Sequence, residues 1–193
     1  MKTVVLGVTG HRFLADLDKI HAGVEQAVAC ILAAYPGAAF RVLSSLAEGS
    51  DRLLAKRLLQ VPGAKLWVPL PLPEEEYRKD FPSPASQEEF QDLLSQAEKV
   101  IPMPVTSERE QGYLAAGMYV LEHSHALLAV WDGLPAQGKA GTAEIVHLAR
   151  LREMPLAWIH AGNRKPGTTT PTSLGLEQGL FTCENFPING RKA

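Results

Sequence analysis

The shortages in this chain narrow its function before any motif does. Only two cysteines occur, Cys30 in an apolar helical pattern and Cys183 in a stretch rich in glycine, threonine and proline. Neither a disulfide framework nor a thiolate metal site is expected from them, and both read as buried or incidental thiols. Charge of one sign is not in excess: the formal net charge is −2, which leaves no electrostatic case for nonspecific binding to nucleic acid or to an anionic membrane. No apolar run approaches the roughly 20 residues of a membrane span. The opening MKTVVLGVTGHR loses its apolar character too soon for a signal peptide, so a cytoplasmic protein is expected. Glu122, His123 and His125 straddle a helix-to-strand junction, where convergence on one ion is not expected, and no metal or cofactor is read from the sequence.

What is present is alternation. Apolar runs of strand length (TVVLGV, AFRVLSSL, KLWVPLPL, HALLAVWDG, PLAWIHAG) are separated by segments of helical periodicity, from residues 16–35 onward. This is the pattern of βαβ units around a mostly parallel sheet, an α/β fold with one core. Residues 73–104 are looser, polar and broken by prolines, and read as a flap over one sheet edge, with Ser86 placed to cap the helix SQEEFQDLLSQAEK against Glu89. Residues 1–161 read as the domain. Residues 162–193 have no sustained periodicity and read as a linker or C-terminal tail, although LEQGLFTCENF could pack onto a neighbouring element.

In such a sheet, ligands bind beyond the carboxyl ends of the strands, where the order of strands reverses. Three loops at those ends carry glycine and polar residues. The first has Gly7, Thr9, Gly10, His11 and Arg12; the second has Glu48, Gly49, Ser50, Asp51 and Arg52; the third has Asp132, Gly133, Gly138, Gly141, Thr142 and Glu144. Glycines let backbone amides approach an anion, and a helix N-terminus adds the positive end of a dipole, so phosphate or ribose phosphate is the natural ligand. GVTGHR lacks the third glycine of the dinucleotide fingerprint, and no phosphate-loop lysine pattern occurs. Within these loops Ser50 or Asp51 can cap a helix, Thr142 can cap another, and Glu48 suits an ion pair with Arg12 or Arg52 better than a ligand contact. Trp67, Trp131 and Trp158 fall in strand-like runs as core residues, with Trp131 the best placed to stack on a base, as Tyr77 and Tyr113 also could.

GVTGHR, LAEGSDRL, AVWDG and GTAEIV, in this order, resemble the Rossmann-like superfamily that includes the Lonely-guy (LOG) phosphoribohydrolases, the DNA-processing protein A fold and the SLOG sensor domains of bacterial conflict systems and TRPM channels. The resemblance is nearest to SLOG-type domains. It implies a three-layer α/β/α sandwich that binds a nucleotide-derived, ADP-ribose-like small molecule and passes the signal to a downstream effector domain. Under it, His11 and Arg12 meet phosphate, Gly10 and Gly141 give backbone approach, and Thr142 and Glu144 hold phosphate and ribose. The LOG branch implies an alternative: cleavage of a nucleoside monophosphate, with Glu144 catalytic. Ile145 stands where that branch has a second glutamate, and the helix from Gly112 to His123 has no arginine, which weighs toward binding rather than turnover. A scaffold without ligand is the third alternative, and the apolar helix from Tyr113 to Leu121 could supply a homodimer face.

Overall fold

A computed structural model describes residues 2–105, 108–135, 141–165 and 168–187. Among them runs a seven-stranded sheet in the order β4-β3-β2-β1-β5-β6-β7. Its strands are β1 (Thr3–Gly10), β2 (Ala39–Leu43), β3 (Lys65–Leu70), β4 (Ala97–Pro102), β5 (Ala126–Trp131), β6 (Leu156–His160) and β7 (Phe181–Glu184). The first six pair in parallel, and β7 runs antiparallel to β6. Successive strand side chains point to opposite faces, and β1 uses both. Val4, Leu6 and Val8 pack with α1 (Leu17–Ala34), α2 (Ser50–Leu59), α3 (Glu74–Arg78) and α4 (Pro84–Ser95). Val5 packs with α5 (Arg109–His123) and α6 (Thr142–Leu151) on the other face. The result is a Rossmann-like three-layer α/β/α sandwich. No helix among the described residues is long and apolar enough to cross a membrane.

The chain winds outward from β1 to β4, then returns to place β5 on the other side of β1. Strand order therefore reverses between β1 and β5, where Gly10 pairs with Val130. Helix α1 is held by Ile20, Val24, Ala27, Val28 and Ile31, recurring at helical spacing and all buried; burying each of the larger ones is worth about 1.5–3 kcal/mol.

Three parts depart from the sequence expectation. Within the loose segment, Ala97–Pro102 forms the edge strand β4. Its side chains are mostly exposed, so it lacks the apolar alternation of a buried strand, and an edge position tolerates its terminal proline. Helix α4 is capped by Ser83, whose side chain accepts from the Ser86 amide, with Pro84 opening the first turn. Ser86, the expected cap, is instead inside the helix. Residues 181–184 of the expected tail extend the sheet as β7, and Cys183 is disulfide-bonded to Cys30 of α1. The expectation of two separate thiols is overturned: the partners are 153 residues apart, and only the packing of β7 beside α1 brings them together.

Arg52, in the first turn of α2, ties two layers of loops together. It is 2% exposed. Nε donates to the Leu46 carbonyl at 3.0 Å, and Nη1 donates to the Ser86 carbonyl and Glu89 Oε2, both at 2.8 Å. Its guanidinium also lies 4.3 Å from the centre of the Phe81 ring. Arg52→Ala leaves the buried Leu46 carbonyl without its donor and removes the stem that fills the space between α2 and α4. The expected loss is about 2–4 kcal/mol, read as a lower urea midpoint with an unchanged slope.

Candidate functional site

The ends of β1, β2 and β3 and the first turns of α2 and α6 enclose a cavity of about 280 Å³. It lies at the reversal of strand order, where this architecture leaves a crevice. Thr9, Gly10 and Arg12 come from the end of β1, Ser45, Ala47 and Asp51 from the β2–α2 turn, and Gly141 and Thr142 from the start of α6. Val8, Ala116, Val120 and Ile145 supply its apolar lining, and Tyr77, Asp80 and Tyr113 also line it.

Two glycines allow this assembly. Gly10 sits where a Cβ would come 2.5 Å from both Ser50 Oγ and the Val130 carbonyl oxygen, and at Gly49 a Cβ would come 2.2 Å from the Arg12 carbonyl oxygen. Gly49 also has φ +78°, a left-handed conformation that only glycine adopts without strain. It is the N-cap of α2, and neither Ser50 nor Asp51 caps that helix. Ser50 instead sends both its amide (3.1 Å) and its Oγ (2.7 Å) to the His11 carbonyl.

The sequence-selected residues separate into three groups. Thr9, Gly10, Arg12, Gly141 and Thr142 line the cavity. Arg12 is held at its mouth by the Asp80 carbonyl oxygen at 3.1 Å and Glu48 Oε2 at 3.4 Å, so Glu48 makes the expected ion pair, and its other oxygen accepts from Ser86 Oγ. Thr142 is the first residue of α6 after the N-cap Gly141 and does not cap the helix itself. A second group is structural. Gly7 lies inside β1 beneath Val120 of α5 and Ser124, the residue that follows that helix. His11 Nε2 lies 3.3 Å from both the Asp132 amide nitrogen and Asp132 Oδ2. Burial lowers the His11 pKa, with Asp132 opposing it, and the ring joins the end of β1 to the end of β5. The third group faces elsewhere: Gly133 and Glu144 line a neighbouring hollow with Trp131, His147 and Arg150. Gly138 lies outside the described residues. Trp131 packs against Trp158 at 5.5 Å and accepts its indole N–H through the backbone carbonyl, a core arrangement.

The cavity also contains two carboxyl groups, Asp80, which the sequence did not single out, and Asp51, read from it only as a helix cap. Asp80 accepts from Tyr113 Oη at 2.5 Å and pairs with Arg109. Asp51 is 8% exposed. Burial pushes its pKa up to about 7, against the opposing pull of the Ala47 and Ser45 backbone and of Arg52 and Arg12. Its position next to a glycine at a helix start suggested only a cap. The signal that could have found it is the run of Ser50, Asp51 and Arg52, three polar residues in a turn that must pack against a sheet.

No protein-family model and no curated protein matches this chain. Among the described residues, no group of three or more histidine, cysteine or acidic side chains could hold a metal ion.

The Asp51 environment has a measurable consequence. Its carboxyl titrates near 3.8 when unperturbed and near 7 when folded. Between these values the native state keeps a proton that the unfolded state loses, so this group's contribution to stability falls as pH rises through the window and levels off above it. Asp51→Asn is therefore expected to be near neutral at about pH 4 and to raise stability by on the order of a few kcal/mol at about pH 8. Urea unfolding of both proteins at the two pH values checks this, and an equal difference at both would contradict it.

Proposed function

We propose that this chain binds a nucleotide-derived small molecule containing phosphate and ribose, as the resemblance of its loops to SLOG-type domains implies. The observation that carries the reading is the pairing of two unlike surfaces in one cavity. Arg12, Gly10 and the Gly141–Thr142 start of α6 stand on its rim, and amides at a helix start together with a guanidinium suit a phosphate. Val8, Ala116, Val120 and Ile145 with the Tyr113 ring suit the flat, weakly polar face of a base. The cavity of about 280 Å³ is at the lower end of small-molecule sites, roughly 300–1,000 Å³, which favours one nucleoside unit inside it with any further part of the ligand outside.

Binding is preferred here to hydrolysis. In the LOG-like alternative Glu144 stabilises the developing charge on the sugar, yet Glu144 lines the hollow beside Trp131 and not the cavity that holds Arg12 and Thr142. A non-catalytic sensor in a signalling or conflict system is the reading that the loops and the cavity support together.

The test is incubation of the protein with AMP, ADP-ribose, NAD and cyclic ADP-ribose, reading thermal shift and free base in the same samples. A higher melting temperature without released base is expected for at least one nucleotide. Arg12→Ala and Thr142→Ala should each weaken that binding by tenfold or more while changing the unliganded melting temperature little. Silence across the panel, or full affinity in both variants, would overturn the reading; base release abolished by Glu144→Gln would replace it with the enzyme.

A further inference from the structure

Among the described residues Asp51 is the one buried carboxyl lining the cavity, and the hydrogen bonds of the cations around it go to other groups. Arg52, the next residue on α2, bonds Leu46, Ser86 and Glu89 through Nε and Nη1, and its buried Nη2 has no hydrogen-bond partner among the described residues. Arg12, from the β1–α1 loop, bonds Glu48 and the Asp80 carbonyl. From α3 comes Tyr77, buried and with its own pKa driven well up by burial and then by Asp51; just beyond α3, Asp80 is taken by Tyr113 of α5 and by Arg109. Helix α6 contributes Thr142 and Ile145 to the cavity, neither of which titrates. The Asp51 carboxyl thus lines the cavity, buried and hydrogen-bonded to the Ser45 and Ala47 backbone, and among the described residues no neighbouring cation is bonded to it. Desolvation disfavours a carboxylate in such a place and favours the acid. A neutral carboxylic acid differs from a carboxylate in one functional respect: it has a proton to donate.

We propose that Asp51 meets the ligand as a carboxylic acid, donating a hydrogen bond to an unprotonated ring nitrogen of the base, and that the site thereby selects bases presenting such an acceptor at their buried edge. This rests on the reading that a nucleotide-derived ligand fills the cavity. Asp51 is then a specificity-determining contact in the buried part of the lining, opposite in kind to the exposed, phosphate-facing Arg12. A site whose buried donor meets a carbon instead of a nitrogen leaves that donor unpaired, which costs far more than a missing apolar contact. The proton is held by the free protein, so binding requires no proton transfer at lower pH and must compete with ionisation of Asp51 at higher pH.

The experiment is calorimetric titration of the wild-type protein and of Asp51→Asn with AMP and with ADP-ribose across about pH 5.5 to 8.5. The ratio of wild-type to variant affinity cancels the titration of the phosphate itself. Asparagine keeps a donor and cannot ionise, so this ratio should fall up to about tenfold per pH unit once Asp51 ionises. Of the 1-deaza, 3-deaza and 7-deaza forms of AMP, one should bind wild type at least tenfold more weakly than AMP, and Asp51→Leu should not distinguish that analogue from AMP. Binding whose affinity ratio is flat or rises with pH, or equal binding of all three analogues to wild type, overturns the proposal and leaves the functional reading standing. Absence of binding by AMP and by ADP-ribose at every pH overturns the functional reading and this proposal with it.

Discussion

At the end of β1 a single carbonyl oxygen, that of His11, takes two hydrogen bonds from Ser50, and the rest of the site is arranged around that clasp. It pulls the start of α2 against the end of β1 so closely that neither Gly10 nor Gly49 has room for a side chain. Residues on a helix are rotated by about 100° from one to the next, so fixing Ser50 against β1 sends Asp51 and Arg52 in two further directions. Asp51 turns into the cavity, and Arg52 turns toward α4 and the Phe81 ring. One backbone contact thus determines where a buried acid and a buried guanidinium go, and separates them although they are adjacent in the chain.

The separation has an electrostatic effect. Had Arg52 paired with Asp51, the acid would be held ionised as an ordinary buried ion pair. Because Arg52 bonds Glu89 and two carbonyls instead, Asp51 feels it only at a distance, and desolvation is the largest influence on its proton. Arg12 is treated differently. Its side chain is 41% exposed and its contact with Glu48 is long, at 3.4 Å, so that pair contributes little to stability and leaves the guanidinium able to turn toward an incoming anion. Of these two cavity-lining side chains, Arg12 is half exposed and loosely held, and Asp51 is buried.

Much of the fold is legible in the sequence because periodicity reports burial. The strands β1, β2, β3, β5 and β6 and the helices around them carry the apolar spacing that their packing demands. Where burial is one-sided or absent the signal fades: β4 is an exposed edge strand, and β7 is a short strand whose existence depends on β6 being beside it. The Cys30–Cys183 pairing is invisible for the same reason, since it follows from long-range packing and not from spacing. Within the site, the loops holding Thr9, Gly10, Arg12, Gly141 and Thr142 are legible from glycine and helix-start chemistry. The division of labour inside each loop is not. His11 and Arg12 are adjacent basic residues beyond the end of β1, yet one is a half-buried link to Asp132 and the other an exposed cation lining the cavity.

Helix rotation divides the third loop. Thr142 opens α6 on the cavity side, and Glu144, two residues later, has rotated by roughly 200° toward Trp131 and His147. Two residues apart on a helix are the least able of near neighbours to serve one pocket. A glutamate at this spacing can reach the cavity only if the first turn of α6 starts elsewhere or the chain before it carries the ligand around the helix end. The buried acid that lines the cavity is instead on α2, where the clasp at His11 has already turned Asp51 inward. The chemistry of the cavity is therefore decided at the junction of β1 and α2, and the start of α6 supplies the opposing rim.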